Sequence, residues 1–387
     1  MINIQDKKDC CGCTACASIC PKGAISMEPD ALGFMYPKVD VSLCIECSLC
    51  DNVCAFNEKY EKFSDFPDPI PYGVRHRDIG TLMASQSGGA FTALSDVVLD
   101  RGGIVYGAGW SDDFVVIHKR AETKEQRNAL RGSKYVQSDL RDIFAQVKQD
   151  LKEGREVLFS GTPCQVAGLK SFVGKNRSER LITVDIICHG VPSPFIFKDY
   201  LHYLTKQYGN SNKPTKIVFR DKKKFGHQMY GESYYWGNRS HTDIDYSYMF
   251  GKDLMLRHSC ANCHYCNLYR SGDVSIGDLW GWSKIDKTLN SDDKGISLVL
   301  INSFVGQNLF DTSRKNLDIV EPRLIDCMQS HLIRPSKMNI NREAFEKTYI
   351  EQGFDVVYSI YGRPNILYLI KRQIRLIYNG FKHILNK

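Results

Sequence analysis

Fifteen cysteines are spread over this 387-residue chain, and eight of them share one spacing written twice. Cys10, Cys13, Cys16 and Cys20 follow C-x2-C-x2-C-x3-C, with Pro21 next. Cys44, Cys47, Cys50 and Cys54 repeat the pattern 34 residues later, with Ala55 where the first run has proline. Two-residue gaps let three thiolates face one iron–sulfur cubane. The fourth cysteine of each run reaches the other cluster in two-cluster ferredoxins. The spacing therefore predicts two 4Fe-4S clusters, one on Cys10, Cys13, Cys16 and Cys54, the other on Cys44, Cys47, Cys50 and Cys20. Zinc sites use C-x2-C pairs separated by a longer loop, which leaves half of each run unexplained. Cys11 falls outside the spacing and reads as a bystander.

Further along, Cys164 lies in "SGTPCQ", at a predicted strand-to-helix turn where a helix N-terminus favours a thiolate. Cys188 ends a predicted buried strand, and Cys260, Cys263 and Cys266 form "CANCHYC". These five supply enough sulfur for a third site with one to spare, although Cys188 reads equally well as a small core residue. Cys327 has no companions and reads as core.

The elements that must position these residues alternate. Residues 57–74 read as a charged, proline-bearing linker. After it come a glycine-bounded helix over 87–103, strands at "IVYGAGW" and "FVVIHKRA", and a helix over 139–153 with Leu140, Phe144, Val147 and Leu151 on one face. A strand at "REVLFSG" runs into a helix at "TPCQVAGLKSFVG". A buried strand at "LITVDIICHG" precedes a helix over 195–208 that presents Phe197, Leu201, Leu204 and Tyr208. Such alternation predicts an α/β or α+β body.

Composition excludes several classes. Residues 1–60 carry 5 Lys and Arg against 8 Asp and Glu, which leaves +10 on the remainder of a chain whose net charge is +7. That excess is dispersed, so nucleic acid is not an expected partner. No apolar run is long enough to span a bilayer. The opening "MINIQDKKDC" has charges where a signal peptide carries its apolar core, so a cytoplasmic location is expected. In that reducing compartment the cysteines point to metal or redox chemistry rather than disulfides. Neither "GAGWSD" nor "GLKSFVGKN" is a Rossmann or P-loop fingerprint. Two other turns, Ser87-Gly88-Gly89 and "RGSKY" (131–135), suit either a phosphate or a plain cap.

Taken together, "SQSGGAFTAL", "RGSKYVQS", "FSGTPCQVAGL", "VDIICHGVPSP" and "SCANCHYC…DVSIGDLWGW" resemble the family formed by the beta subunits of coenzyme F420-reducing hydrogenase and F420 dehydrogenase. The resemblance covers roughly residues 1–330 in five ordered motifs. It implies a two-cluster ferredoxin fused to an FAD-binding body with a third 4Fe-4S cluster. FAD there exchanges a hydride with the deazaflavin F420 and passes single electrons to the clusters. Carried over by position, Cys164, Cys188, Cys260 and Cys263 hold the third cluster. Cys266 replaces the family's polar residue and leaves the fourth ligand open between itself and Cys188. Ser87, Gly88, Gly89, Thr92, Gly132, Ser133, Lys134, Tyr135 and Thr162 line FAD. His189 is the candidate catalytic residue near the flavin, against a structural role for it. The substrate implied is F420 or another organic molecule, since bacterial relatives also occur beside surface-polysaccharide genes. A ferredoxin or other redox protein is the implied partner.

The implied fold is a multidomain α+β or α/β chain. A two-cluster ferredoxin-like domain (1–60) and a linker (61–72) lead into the family's N-terminal (73–155) and C-terminal (156–335) domains, which form a mixed α/β flavin body. A basic helical tail (336–387) follows. Within the tail, residues 363–387 hold six Lys and Arg and no acid, with Ile366, Ile370, Ile374, Ile377, Phe381 and Ile384 at helical spacing. Such a helix packs on its own body, docks on a partner, or lies peripherally on the inner membrane face. Two functions remain open: an iron–sulfur flavoprotein oxidoreductase, and a non-catalytic electron-transfer protein that serves a partner enzyme. Anaerobically purified protein should contain about eight iron and eight sulfide per chain from the two runs, and about twelve of each with the third site. About four iron per chain, or zinc in place of iron, would contradict this.

Overall fold

The computed structural model of the protein describes residues 1–57, 65–174 and 179–374. Its N-terminal segment contains an antiparallel hairpin, β1 (Ile25–Pro29) and β2 (Met35–Val39), between one-turn helices Ala15–Ile19 and Leu49–Asn52. Each cysteine run bends through two left-handed residues at matching places. These are Gly12 (φ 71°) and Thr14 (φ 65°) in the first, and Glu46 (φ 52°) and Ser48 (φ 59°) in the second. The repeat in spacing is thus also a repeat of backbone path.

The body is mixed α/β. Strands β3 (Ile70–His76), β4 (Ile104–Trp110), β5 (Val116–Ala121), β6 (Val157–Gly161) and β7 (Leu181–Ile186) come first. A separate antiparallel sheet follows, made of β8 (Lys216–Val218), β9 (Glu232–Trp236) and β10 (Arg239–Asp243). The chain then re-enters the large sheet with β11 (Val274–Asp278), β12 (Ser297–Ile301) and β13 (Leu317–Val320). The large sheet has the order β13-β3-β12-β11-β7-β6-β4-β5. Its centre, β4, β6, β7 and β11, is parallel, and antiparallel strands flank it on both sides. Strands from both 73–155 and 156–335 interleave in this one sheet.

Side chains alternate across the parallel strands with period two. Leu158, Ile182 and Val184 pack with helices Ala90–Asp100 and Phe304–Ser313. Val157, Phe159 and Leu181 pack with helices Ile143–Lys152 and Pro163–Val173. Each such side chain contributes about 1.5–3 kcal/mol when fully buried. Helix layers on both faces leave the strand ends as the places where polar chemistry can sit. The cysteine-bearing N-terminal segment packs on the second layer through Cys11, Cys13, Ala15, Val53, Ala55 and Phe56. At the closest approach, a Cβ on Gly168 would stand 2.7 Å from Cys13 Sγ.

Several boundaries differ from the sequence reading. Residues 70–74 of the expected linker belong to β3, and 58–64 lie outside the described residues. Pro71 is tolerated because it pairs with Leu300 on one side only, β13 reaching no further than Gly73. The expected helix over 139–153 starts at Ile143, because Arg141 turns left-handed (φ 47°) after buried Leu140. Strand β7 ends at Ile186, so Cys188 lies in the loop beyond it. On helix Pro194–Tyr208, Phe197, Leu201 and Leu204 are buried but Tyr208 is exposed. In the tail, residues 366–374 are helical, and Ile377, Phe381 and Ile384 lie outside the described residues. Tyr368 stacks edge-on against Tyr248, with ring centroids 5.0 Å apart, and Arg372 donates to the Tyr230 carbonyl at 2.9 Å. Ile366, Ile370 and Ile374 point to solvent, 76%, 52% and 62% exposed, so this stripe is no part of the core.

Candidate functional site

Three groups of cysteines gather in the fold. In the first, Cys16 lies within electrostatic reach of Cys13, Cys10 and Cys54. Burial and these neighbours push the Cys54 thiol up to about 11. Burial also raises the Cys10 thiol, against the pull of the Arg257 guanidinium. Arg257 is itself buried. It donates to the Cys10 carbonyl at 2.8 Å, to Gln137 Oε1 at 3.0 Å and to the Met35 carbonyl at 2.9 Å, and it reaches Cys10 Sγ at 3.6 Å. Its plane lies over the Tyr36 ring, 4.1 Å from the centroid.

In the second group, Cys20, Cys44, Cys47 and Cys50 line one small cavity with Ala24, Ile25 and Val39. Backbone N–H groups already point at two of these sulfurs: Ile2 donates to Cys50 Sγ and Ala24 to Cys20 Sγ, each at 3.3 Å. Such bonds favour thiolates and help set a cluster's potential.

The third group forms just past the carboxyl ends of the parallel strands. Thr162 follows β6 and caps helix Pro163–Val173, which places Cys164 in its first turn, 3.2 Å from the Thr162 hydroxyl. Cys188 follows β7 by two residues. The loop bearing Cys260, Cys263 and Cys266 is pinned to β7 by a buried ion pair. Arg270 Nη2 meets Asp185 Oδ1 at 2.7 Å, and the Ser271 and Gly272 N–H groups donate to the other Asp185 oxygen. Cys188 is held strongly protonated by burial and by Cys260, Cys164 and Cys263, all within its reach. Burial pushes Cys260 up to about 12, although the Val191 N–H donates to its sulfur at 3.4 Å. The neighbouring Cys263 thiol and burial push the Cys266 thiol far up, and Cys188 adds to this. Cys11, outside the spacing, is buried in the same cluster as Cys13 of the first group and Cys164 of the third, and these neighbours and burial push its thiol up.

An all-thiol donor set, buried and partly supplied with N–H donors, suits 4Fe-4S clusters. Among the described residues, no three His, Cys, Asp or Glu side chains close on a point as the ligands of one ion do. A cubane instead takes each sulfur on its own corner.

The residues assigned to a flavin are more dispersed. In the Ser87–Gly89 turn, the Ser87 hydroxyl donates to the Ile296 carbonyl (2.8 Å) and the Gly88 N–H to Ser297 Oγ (2.8 Å). The Gly88 carbonyl accepts from the His76 N–H (2.7 Å). Gly89, at φ 91°, starts the helix Ala90–Asp100, in which Thr92 is buried with its hydroxyl unpaired among the described residues. Gly132 (φ 78°) has open space where a Cβ would be. Lys134 is bonded to the carbonyls of Leu130, Arg131 and Gly132 and meets no carboxylate among the described residues. Burial and the nearby Lys119 lower it to about 7. Tyr135, whose phenol is reached by Ser133 and Arg220, stacks on Phe250 with centroids 4.8 Å apart. His189 packs at a tilt of 38° on the same Phe250, with centroids 4.6 Å apart, and its Nε2 meets Asp253 Oδ1 at 2.5 Å. The Thr92 hydroxyl is unpaired among the described residues, whereas the Lys134 ammonium is engaged by three carbonyls and the Ser87–Gly88 donors by the sheet.

Sequence reasoning passed over the network that joins these turns. Arg220 Nη1 and His227 Nε2 each meet Asp278 at 2.7 Å, at the end of β11. Burial alone would raise Asp278, but Arg220 and His227 outweigh it and hold the carboxyl far below the usual range. Trp280 stacks on His227, Gln86 donates to the Arg220 carbonyl, and Lys222 donates to the Ser87 carbonyl. The only signal was "GDLWGW", in which Asp278 and Trp280 stand. Arg220 and Arg257 sit in no countable pattern.

Twin cysteine runs beside a mixed α/β body, with more cysteines at the sheet's carboxyl edge, define an iron–sulfur redox protein. Residues 154–323 match the family described as the carboxyl-terminal part of the coenzyme F420 hydrogenase/dehydrogenase beta subunit. It is 20% identical to one of the subunits of the F420H2 dehydrogenase of Methanosarcina mazei over 370 residues, covering 89% of this chain and 94% of that one. It is 37% identical over 54 residues to an uncharacterized ferredoxin of Methanocaldococcus jannaschii, covering 14% of this chain and 69% of the ferredoxin. Among solved structures it resembles a chain of the F420-reducing [NiFe] hydrogenase complex from Methanosarcina barkeri. The identity is 18% and the TM-score 0.46, over 76% of this chain and 91% of that one.

Two substitutions test the site. Cys164→Ser should remove about four of the twelve iron atoms and leave the low-temperature EPR of the two ferredoxin-type clusters intact; unchanged iron would deny Cys164 a ligand role. Arg257→Met leaves buried carbonyls without a donor. It should destabilise the protein by about 3 kcal/mol in anaerobic denaturant unfolding, and a loss under about 0.5 kcal/mol would show that Arg257 holds little together.

Proposed function

We propose that the protein is an iron–sulfur flavoprotein oxidoreductase that couples two-electron chemistry at FAD to one-electron transfer through three 4Fe-4S clusters. The observation that carries this reading is that buried Cys11 and Cys13 share one packed cluster with Cys16, Cys54, Cys164 and Cys263. That packing sets a ferredoxin-type group directly against the group at the sheet edge, which is the adjacency that electron transfer between them requires. On this reading Cys10, Cys13, Cys16 and Cys54 hold one cluster. Cys20, Cys44, Cys47 and Cys50 hold the second, and Cys164, Cys188, Cys260 and Cys263 the third. Cys188 is preferred to Cys266 because it reaches all three other sulfurs. FAD, when bound, supplies the exchange between hydride and single-electron chemistry. Lys134 and Thr92 would bind its anionic part, and Tyr135 and Phe250 would offer an apolar face. Asp253 orients His189 so that its Nδ1 is left to accept a proton from an organic substrate such as F420.

A second reading, a non-catalytic electron-transfer protein, is favoured by the Ser87 and Gly88 donors being engaged internally. FAD content separates the two. Anaerobic protein should hold about one FAD per chain, and Lys134→Ala should weaken FAD binding about tenfold with iron unchanged. Protein that never binds added FAD would leave only the second reading.

We also propose that the protein contacts an anionic membrane surface through its tail. No described helix is long and apolar enough to cross a membrane. The outward stripe of Ile366, Ile370 and Ile374, with Lys371 and Arg372 beside it, suits a helix lying in the interface. Full-length protein should bind vesicles containing anionic lipid at low salt and release them at about 0.5 M, where the Debye length falls to a few ångströms. Removal of residues 363–387 should abolish binding and leave iron content intact; a full-length protein that ignores such vesicles would refute it.

A further inference from the structure

Of the fifteen cysteines, Cys47 is the one whose residue is exposed; the others are buried or half-buried. It belongs to the group of Cys20, Cys44, Cys47 and Cys50. The other two groups lie inward, with Cys10 beneath Arg257, Cys13 against Gly168, and Cys11 between them and Cys164. Around Cys47 the surface is apolar: Val41, Leu43, Ile45 and Leu49 are all exposed. The rim is acidic. Asp40, Glu46 and Asp51 are exposed, and no Lys or Arg occurs from Val39 to Asn57. Lys22 is the one cationic side chain lining the cavity of this group among the described residues. Glu46 occupies a left-handed position (φ 52°) whose counterpart in the first run is Gly12. A glutamate is an unfavourable choice for that backbone, where glycine costs nothing.

We propose that this face is where electrons enter or leave the protein, by docking a basic one-electron carrier protein whose own redox centre lies under an apolar surface ringed by Lys or Arg. The inference rests on the reading of Cys20, Cys44, Cys47 and Cys50 as cluster ligands. Electron-transfer encounters are small, transient contacts in which a limited apolar patch suffices. Opposite charge then supplies orientation and encounter rate rather than lasting affinity. A cluster with four thiolate ligands adds negative charge under the same patch.

The probe is cytochrome c, a basic one-electron carrier. Its second-order reduction by the pre-reduced protein should slow about tenfold as salt rises from about 20 mM to about 300 mM. The double variant Glu46→Lys with Asp51→Lys should be about tenfold slower at low salt and lose most of the salt dependence. Asp113→Lys with Glu321→Lys, an equal charge change at acids elsewhere on the surface, should stay close to the parent. Zero-length carbodiimide cross-linking of the oxidised proteins should join cytochrome c lysines to Glu46 or Asp51. If the control variant slows transfer as much, or the cross-links map elsewhere, net charge alone is at work and the docking face is refuted. Iron near twelve per chain in every variant shows the clusters in place. Full clusters with rates indifferent to Glu46→Lys and Asp51→Lys overturn this inference alone, whereas protein without clusters overturns the reading beneath it.

Discussion

The guanidinium of Arg257 is the contact on which the arrangement of the cysteines turns. Removing such an ion from water costs several kcal/mol, so it persists only where acceptors surround it. Here the donors go to carbonyls at Cys10 and Met35 and to Gln137. Those acceptors belong to the first cysteine run, the hairpin and the loop after Tyr135. One buried cation therefore decides how the N-terminal segment sits on the body. It also stands beside Cys10, where its charge favours the thiolate form that iron requires.

The sheet supplies the second half of the construction. Parallel strands end together, and their carboxyl ends are where an open α/β sheet leaves room for ligands. β6 delivers Cys164, β7 delivers Cys188 and β11 delivers Asp278 to that edge. The remaining cysteines of the third group come from a loop, which needs an external anchor. The Asp185–Arg270 pair, both partners essentially without solvent contact, is that anchor. A comparable pair, Arg220 with Asp278, fixes the far side of the same edge, where Trp280 and His227 stack.

The family that residues 154–323 match fits this build, and 54 residues of the chain resemble a ferredoxin. What distinguishes the chain chemically is the gradient of exposure along its cysteines. Cys11 and Cys13 are buried against the body, while Cys47 lies at the surface among apolar side chains.

Local chemistry was legible in the sequence because ligand spacing is a short-range constraint. Two C-x2-C-x2-C-x3-C runs can be counted, and the same arithmetic is seen in the paired left-handed turns at Gly12 and Thr14, and at Glu46 and Ser48. Hydrophobic periodicity likewise gave the helix Pro163–Val173 and the strands that frame it. Tertiary structure alone decided what lies between those segments. Cys11 carries no sequence signal because the Cys164 it packs near is distant in sequence, and β3 looked like linker because Pro71 hides a strand paired on one side at that point. Arg257, Arg220 and Arg270 carry no periodic signal, since a buried cation is defined by the acceptors that surround it, and those come from distant parts of the chain. Counting alone picks out the two cysteine runs and alternation the class of fold, because both are short-range patterns; burial of Cys11 and Cys13 in one run and exposure of Cys47 in the other follow from packing against distant segments.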